Sequence, residues 1–188
     1  MKNDLKFRKF DFRNDLPDLF DIMMDSRDQA LFHGRVQINS LPDFEKWMIG
    51  NMSHFYHDFY VVTAENDYKI VGYVYSYEYR VYDGHCKVCV FLNREYRGMG
   101  VGALCGIRFL DELFSAYPLR KVYAEIFDYN KQSLESNLGF GFVEEGCLKD
   151  YRYLNGSYHD MHLLAITREK FYEKAGAIVG KNGEKYGL

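Results

Sequence analysis

Residues 90–106 read VFLNREYRGMGVGALCG, a glycine cluster set between an apolar run and a long helical stretch. Upstream, Lys87–Leu92 (KVCVFL) is almost wholly apolar, as expected for a strand covered on both faces. Downstream, a helix is predicted from Val101 to about Tyr117, stopped by Pro118. Glycine lets a backbone turn tightly and approach a ligand closely. A helix that starts in such a turn points free N–H groups and its positive end outward. Arg97 adds a cation beside the loop. Three readings fit. Gly98-Met99-Gly100-Val101-Gly102-Ala103 satisfies G-x-G-x-x-A, a dinucleotide fingerprint. That fingerprint should follow its strand directly and open a series of βα units. Here Asn93–Arg97 intervene and hairpins surround the motif. The second reading is an anion cradle shaped for a pyrophosphate, and the third an ordinary glycine-rich turn.

The rest of the chain places this loop in a mixed sheet. Leu5–Phe10 alternates as a short strand. Asn14-Asp15 and Ser40 precede LPDLFDIMM and LPDFEKWMIGNM, two capped helices with proline just inside. Phe59–Thr63 and Ile70–Arg80 form a hairpin about Asn66-Asp67. Val122–Phe127 is another buried-type strand, and Lys131–Asn137 a short helix stopped by Gly139 and Gly141. Phe142–Leu154 and Ser157–Thr167 are joined by Asn155-Gly156, a strong hairpin signal. The order β-α-α-β-β-β-α-β-α-β-β implies an α/β (α+β) domain with helices on both faces of its sheet. The expected domain spans 1–173, with a flexible tail at 174–188 that is rich in Gly and Lys.

Bulk properties exclude several function classes. With 188 residues and a formal net charge of −3, the chain is one domain with no basic excess. Nucleic acid and membrane surfaces are therefore not expected partners. MKNDLKFRKF has no apolar core of a secretory signal, and no apolar run reaches membrane-spanning length. A cytoplasmic location is the expectation. Cys86-x-x-Cys89 suggests half a zinc site or a redox pair. No second such pair follows, and residues three apart on a strand face opposite sides. Small buried hydrophobes in a reducing compartment are the plainer account, and no metal is expected. Tyr73, Tyr75, Tyr77 and Tyr79 share one strand face by alternation, as core or as the wall of a pocket for a cation or planar ring.

Four motifs stand in register with this element order. Arg97-Gly98-Met99-Gly100-Val101-Gly102 resembles the R/Q-x-x-G-x-G/A acyl-CoA motif of the GNAT N-acetyltransferases. Asn130-Lys131-Gln132-Ser133 resembles the family's N-x-x-A/S. Gly141–Gly146 resembles its G-F-x-x-E-G. The hairpin KDYRYLNGSYHD (149–160) is similar to the branch of ribosomal-protein N-terminal and spermidine acetyltransferases. The resemblance covers about Leu5 to Lys170. It implies a mostly antiparallel sheet of six or seven strands, with the fourth and fifth splayed. It implies acetyl-CoA as cosubstrate, with its pantetheine paired to Val90, Phe91 and Leu92 like an added strand. The amides of Arg97, Gly98, Met99, Gly100, Val101 and Gly102 would then hold the pyrophosphate. Asn130 and Ser133 would serve the pantetheine side, with a helix N-cap as the structural alternative for Asn130.

The implied reaction moves an acetyl group to the primary amine of a small molecule or polyamine. A protein N-terminus is the alternative acceptor, and an acyl-CoA sensor without turnover the non-enzymatic alternative. Homodimers are common in the family, so a dimer is the default expectation. An alkylamine is protonated at pH 7 in all but about one in a few thousand molecules, so a base is required. The family's fourth-strand Glu is matched here by Lys87. Glu125, the one acid of KVYAEIF, is the candidate base, and in such a setting its pKa is expected to rise. Its structural alternative is an acid paired with a neighbouring cation. Glu78 and His85 are weaker candidates. The family's Tyr acid is matched by Asn137, which has no proton to give.

Overall fold

The computed structural model describes residues 5–25, 28, 38–64, 67–98 and 100–179. In chain order these form β1 (Leu5–Lys9), α1 (Leu16–Met24), α2 (Leu41–His54), β2 (Tyr56–Ala64), β3 (Asp67–Arg80), β4 (His85–Leu92), a 3₁₀ turn (Arg94–Tyr96), α3 (Val101–Ala116), β5 (Lys121–Phe127), α4 (Lys131–Phe140), β6 (Val143–Leu154), β7 (Ser157–Thr167) and α5 (Arg168–Val179). The order is the one expected, with α5 added. This helix takes in residues 174–179, which sequence assigned to a loose tail. The seven strands lie in the order β1-β2-β3-β4-β5-β7-β6. β4 and β5 run parallel, while β1–β2, β2–β3, β5–β7 and β6–β7 are antiparallel.

Local chemistry explains most boundaries. Ser40 caps α2: its hydroxyl accepts from the Asp43 N–H (3.3 Å) and donates to the Asp43 carboxylate (2.6 Å). The expected cap on α1 is corrected. Asp15 sits at the cap position, but its carboxylate takes the Arg8 guanidinium and the Asp11 N–H (2.8 Å) instead. The expected stop of α4 at Gly139 is also corrected, because the helix continues to Phe140. A glycine inside a helix costs only about 1 kcal/mol. Gly141, at φ +124°, supplies the left-handed turn that ends it. Asn155 (φ 51°) and Gly156 (φ 87°) form the tight turn of the last hairpin.

The chain divides into two compact units. One holds the residues up to Glu78 together with Cys89–Gly106; the other holds Tyr79–Val88 and the chain from Ile107 onward. In the first, α1 and α2 bury Leu19, Phe44 and Met48 against Phe59, Tyr73 and Phe91 of the sheet. Val90 and Leu92 alternate with Phe91 and so face the other side, where they meet α3: Leu92 Cδ1 lies 3.7 Å from a Cβ built at Gly102, and Val90 Cγ2 3.9 Å from one at Gly106. Helices thus cover both faces of this sheet segment. In the second unit, Phe114 of α3 packs on Phe171 of α5 (5.4 Å between ring centroids). Arg168 closes the end of α3 by donating to the carbonyls of Leu119 (2.8 Å), Tyr117 (2.6 Å) and Phe114.

Candidate active site

The glycine loop has the conformation that a cradle requires. Gly98 and Gly100 stand at φ +84° and +77°, where L side chains are strained. Gly98 and Gly100 are exposed, and a Cβ at Gly100 would meet nothing within 4 Å. The Gly100 carbonyl accepts the Leu104 N–H (3.1 Å), so α3 begins there. The amides of its first turn, Val101 and Gly102 included, have no intrahelical acceptor. Met99 lies outside the described residues.

Arg97 is a fixed cation beside the loop. Its guanidinium forks onto Asp28, Nη1 to Oδ1 at 3.1 Å and Nη2 to Oδ2 at 2.8 Å. Its Nε donates to the Leu92 carbonyl (2.7 Å), and the same group lies 5.0 Å from the centre of the Phe91 ring. Arg97 therefore staples the loop to the end of β4. Arg94 also reaches Asp28 (Nε–Oδ1 3.1 Å), so two guanidiniums share one carboxylate and leave one net positive charge near the loop.

Backbone direction separates the three β4 residues. The Phe91 carbonyl lies 2.3 Å from a Cβ built at Gly72, and the Asn93 N–H donates to Val71 (2.8 Å), so both residues face β3. Polar groups alternate edges along a strand, so those of Val90 and Leu92 point away from β3. Two of the three expected pairing residues therefore present main-chain groups on the edge away from β3. The Leu92 carbonyl already holds Arg97.

In the second unit, β4 and β5 pair only over His85–Lys87 with Lys121–Tyr123. Glu125 lies two residues beyond that ladder, with Oε1 2.6 Å from Lys87 Nζ; the two side chains are 11% and 21% exposed. The residue matched to the family's strand-four acid is thus the cation that partners Glu125. Asn130 occupies the N-cap position of α4, and its carbonyl accepts the Leu134 N–H (3.1 Å), yet its side chain makes no capping bond. Its amide is left for another acceptor or donor. Ser133 is held within the helix, its Oγ 3.3 Å from Asn137 Nδ2, which also donates to the Ser133 carbonyl (2.8 Å).

The other candidates stand elsewhere on the sheet. Glu78 stands at φ +47°, an irregular point where the tyrosine alternation ends. Tyr73, Tyr75 and Tyr77 are buried; Tyr79 packs on Tyr117 (5.3 Å). His85 packs edge-on against Tyr123 (5.3 Å). Cys86 is buried and forms no disulfide, and burial pushes the Cys89 thiol up to about 11 despite a bond from Tyr75. It stays a neutral thiol near neutrality, which disfavours the redox reading.

A family model described as the acetyltransferase (GNAT) domain matches residues 12–163. The chain belongs to the GNAT acetyltransferases. A spermidine N(1)-acetyltransferase of Vibrio cholerae is 25% identical over 114 residues, 61% of this chain and 66% of that enzyme. The aligned part thus spans just under two thirds of that relative. Among solved structures, the Vibrio cholerae spermidine N-acetyltransferase in complex with CoA and spermine superposes with a TM-score of 0.80 at 21% identity, over 89% of this chain and 97% of that one. The ribosomal-protein-S5-alanine acetyltransferase of Vibrio fischeri gives 0.74 at 22% identity, over 91% and 96%. These structures establish the GNAT fold.

Sequence missed two features. Asp28 lies 69 residues before Arg97, with no motif to announce it. Asp128 accepts or shares a proton with His159 (Nδ1–Oδ1 2.9 Å) two residues before Asn130, an arrangement made only by the β5–β7 pairing.

Proposed function

We propose that this GNAT protein transfers the acetyl group of acetyl-CoA to the primary amine of a small molecule or polyamine by direct attack on the thioester. The observation that carries this reading is the left-handed glycine loop at the start of α3, open where it would meet a diphosphate. Acetyl-CoA supplies an activated acetyl group. The amides of Gly98, Gly100, Val101 and Gly102 hold its phosphates, helped by the helix dipole and the residual positive charge on the Arg94–Arg97–Asp28 cluster. Val90 and Leu92 offer main-chain groups to the pantetheine, and the Asn130 amide offers another bond.

The Val90 N–H donates to the oxyanion that forms when the amine nitrogen attacks the thioester carbon. Glu125 takes the amine proton, directly or through water. The C–S bond then breaks, and the departing thiolate takes its proton from solvent, since Asn137 cannot supply one. The Lys87 ammonium stands 2.6 Å from the Glu125 carboxylate and orients it. A polyamine acceptor is supported by the likeness to the spermidine acetyltransferase of Vibrio cholerae.

One observation favours a second assignment of the base. Glu125 is already engaged by Lys87, whereas His159 is an imidazole oriented by a carboxylate, the arrangement of a general base. A panel of polyamines, small amines and ribosomal-protein N-terminal peptides, assayed for free thiol from acetyl-CoA, tests the function. Turnover on amines is expected; turnover on peptides alone moves the acceptor to protein N-termini. CoA binding without turnover on any of them makes the protein a sensor. Glu125→Gln and His159→Gln decide between the two bases.

A further inference from the structure

Where β6 pairs with β7, Glu144, Cys147 and His162 each place one potential ligand atom within 4.8 Å of the others. Cys147 and His162 are direct partners across the ladder. Residues three apart on a regular strand face opposite sides, so Glu144 and Cys147 should be separated. They are not, because the register slips between Glu144 and Gly146: β6 advances two residues while β7 advances one, from Leu164 to Leu163. The extra residue, Glu145, turns aside to pair with Lys121 (2.6 Å). This bulge brings Glu144 round to the face of Cys147 and His162. Glu144 Oε2 already stands 3.0 Å from His162 Nδ1. Cys147 is free and partly buried, and the His162 side chain is 18% exposed. Among the described residues this is the one group of three such side chains with this spacing.

We propose that Glu144, Cys147 and His162 form a binding site for a borderline-soft divalent cation of the zinc class. A thiolate, an imidazole and a carboxylate suit zinc and disfavour magnesium or calcium, which prefer all-oxygen sets. Tetrahedral zinc with bonds near 2.0–2.3 Å needs ligand atoms about 3.3–3.8 Å apart. Side-chain rotation closes the remaining distance of roughly 1 Å. Three protein ligands leave the fourth position to water or an incoming group. Lys149 is the neighbouring cation, and its ammonium pairs with Asp160 (2.6 Å). Lys149 is largely exposed, and its bond to Asp160 involves none of the three ligand atoms. The site is independent of the acyl-transfer reading, because none of its residues takes part in that reaction.

The test is cobalt(II) titration of reduced, untagged protein, followed by zinc displacement. One equivalent is expected to give the intense sulfur-to-cobalt charge-transfer absorption and the visible bands of a tetrahedral site. Cys147→Ser is expected to remove the charge-transfer absorption, and His162→Gln to weaken zinc binding at least tenfold in calorimetry. Circular dichroism establishes that both variants are folded; should one unfold, the other and Glu144→Gln carry the test. Failure of wild-type protein to bind cobalt or zinc overturns the proposal. So does a charge-transfer absorption that survives Cys147→Ser, which would place the metal on another thiol.

Discussion

Arg97 in one unit and Glu125 in the other are both charged groups that a sequence motif marks for function, and both are found in ion pairs. The pairs differ in kind. Arg97 makes two bonds to the buried Asp28 and one to the Leu92 carbonyl, and its guanidinium lies by the Phe91 ring. Glu125 pairs through Oε1 with Lys87 of the neighbouring strand (2.6 Å). The first is a staple that shapes a loop whose backbone does the binding. The second joins two side chains across the β4–β5 pair, neither of which shapes the glycine loop. A cofactor loop built from amides needs its side chains for shape, whereas a proton-transfer site needs a side chain that can still react.

Variants at the two positions break or sharpen this contrast. The largest effect is expected on turnover from Glu125→Gln: a fall of about 10²–10⁴-fold with CoA affinity unchanged in calorimetry. Wild-type turnover would remove Glu125 as base and pass the role to His159. Next, Arg97→Ala leaves a buried carboxylate short of its main partner and should cost about 3 kcal/mol of folding stability in urea melts. Arg97→Gln with Asp28→Asn should recover part of that loss, because the two residues act as one unit. Independent, additive losses would show that the staple is not one.

Smaller effects separate the cofactor contacts. Asn130→Ala removes an amide that the helix does not use, so CoA binding should weaken about tenfold, or ~1.4 kcal/mol, while the melting temperature stays put. A large stability loss would mean that Asn130 is a structural cap after all. The smallest effect concerns pH. The Cys89 thiol is raised from an ordinary 9.0 to about 11 in the folded chain, so its protonated form is favoured there. Stability from this group is complete below about pH 9 and is lost as pH rises through about 11, because the unfolded chain gives up the proton first. Burial raises the Tyr56, Tyr73 and Tyr75 hydroxyls in the same direction. Cys89→Ala should flatten the stability decline across that window; an unchanged slope would assign it to the tyrosines.

Sequence legibility followed the same divide. Element order, the glycine loop, the start of α3, the Asn155-Gly156 turn and the Ser40 cap were all readable, because each depends on residues within a few positions of one another. Gly139 misled, since a helix tolerates one glycine, and the stop belonged to Gly141, whose φ of +124° few other residues adopt. Asp15 misled as well: a better partner, Arg8, arrived from β1.

The chain's local chemistry by itself determined where backbone amides would gather, because glycine, proline and capping residues act on their own neighbours. Only the tertiary structure decided which charges remain available. Pairing β4 with β5 brought Lys87 to Glu125, and folding of the segment after α1 brought Asp28 to Arg97. A Coulomb interaction depends on separation in space, and residues 38 or 69 apart in sequence acquire a separation only when the sheet and its loops are assembled.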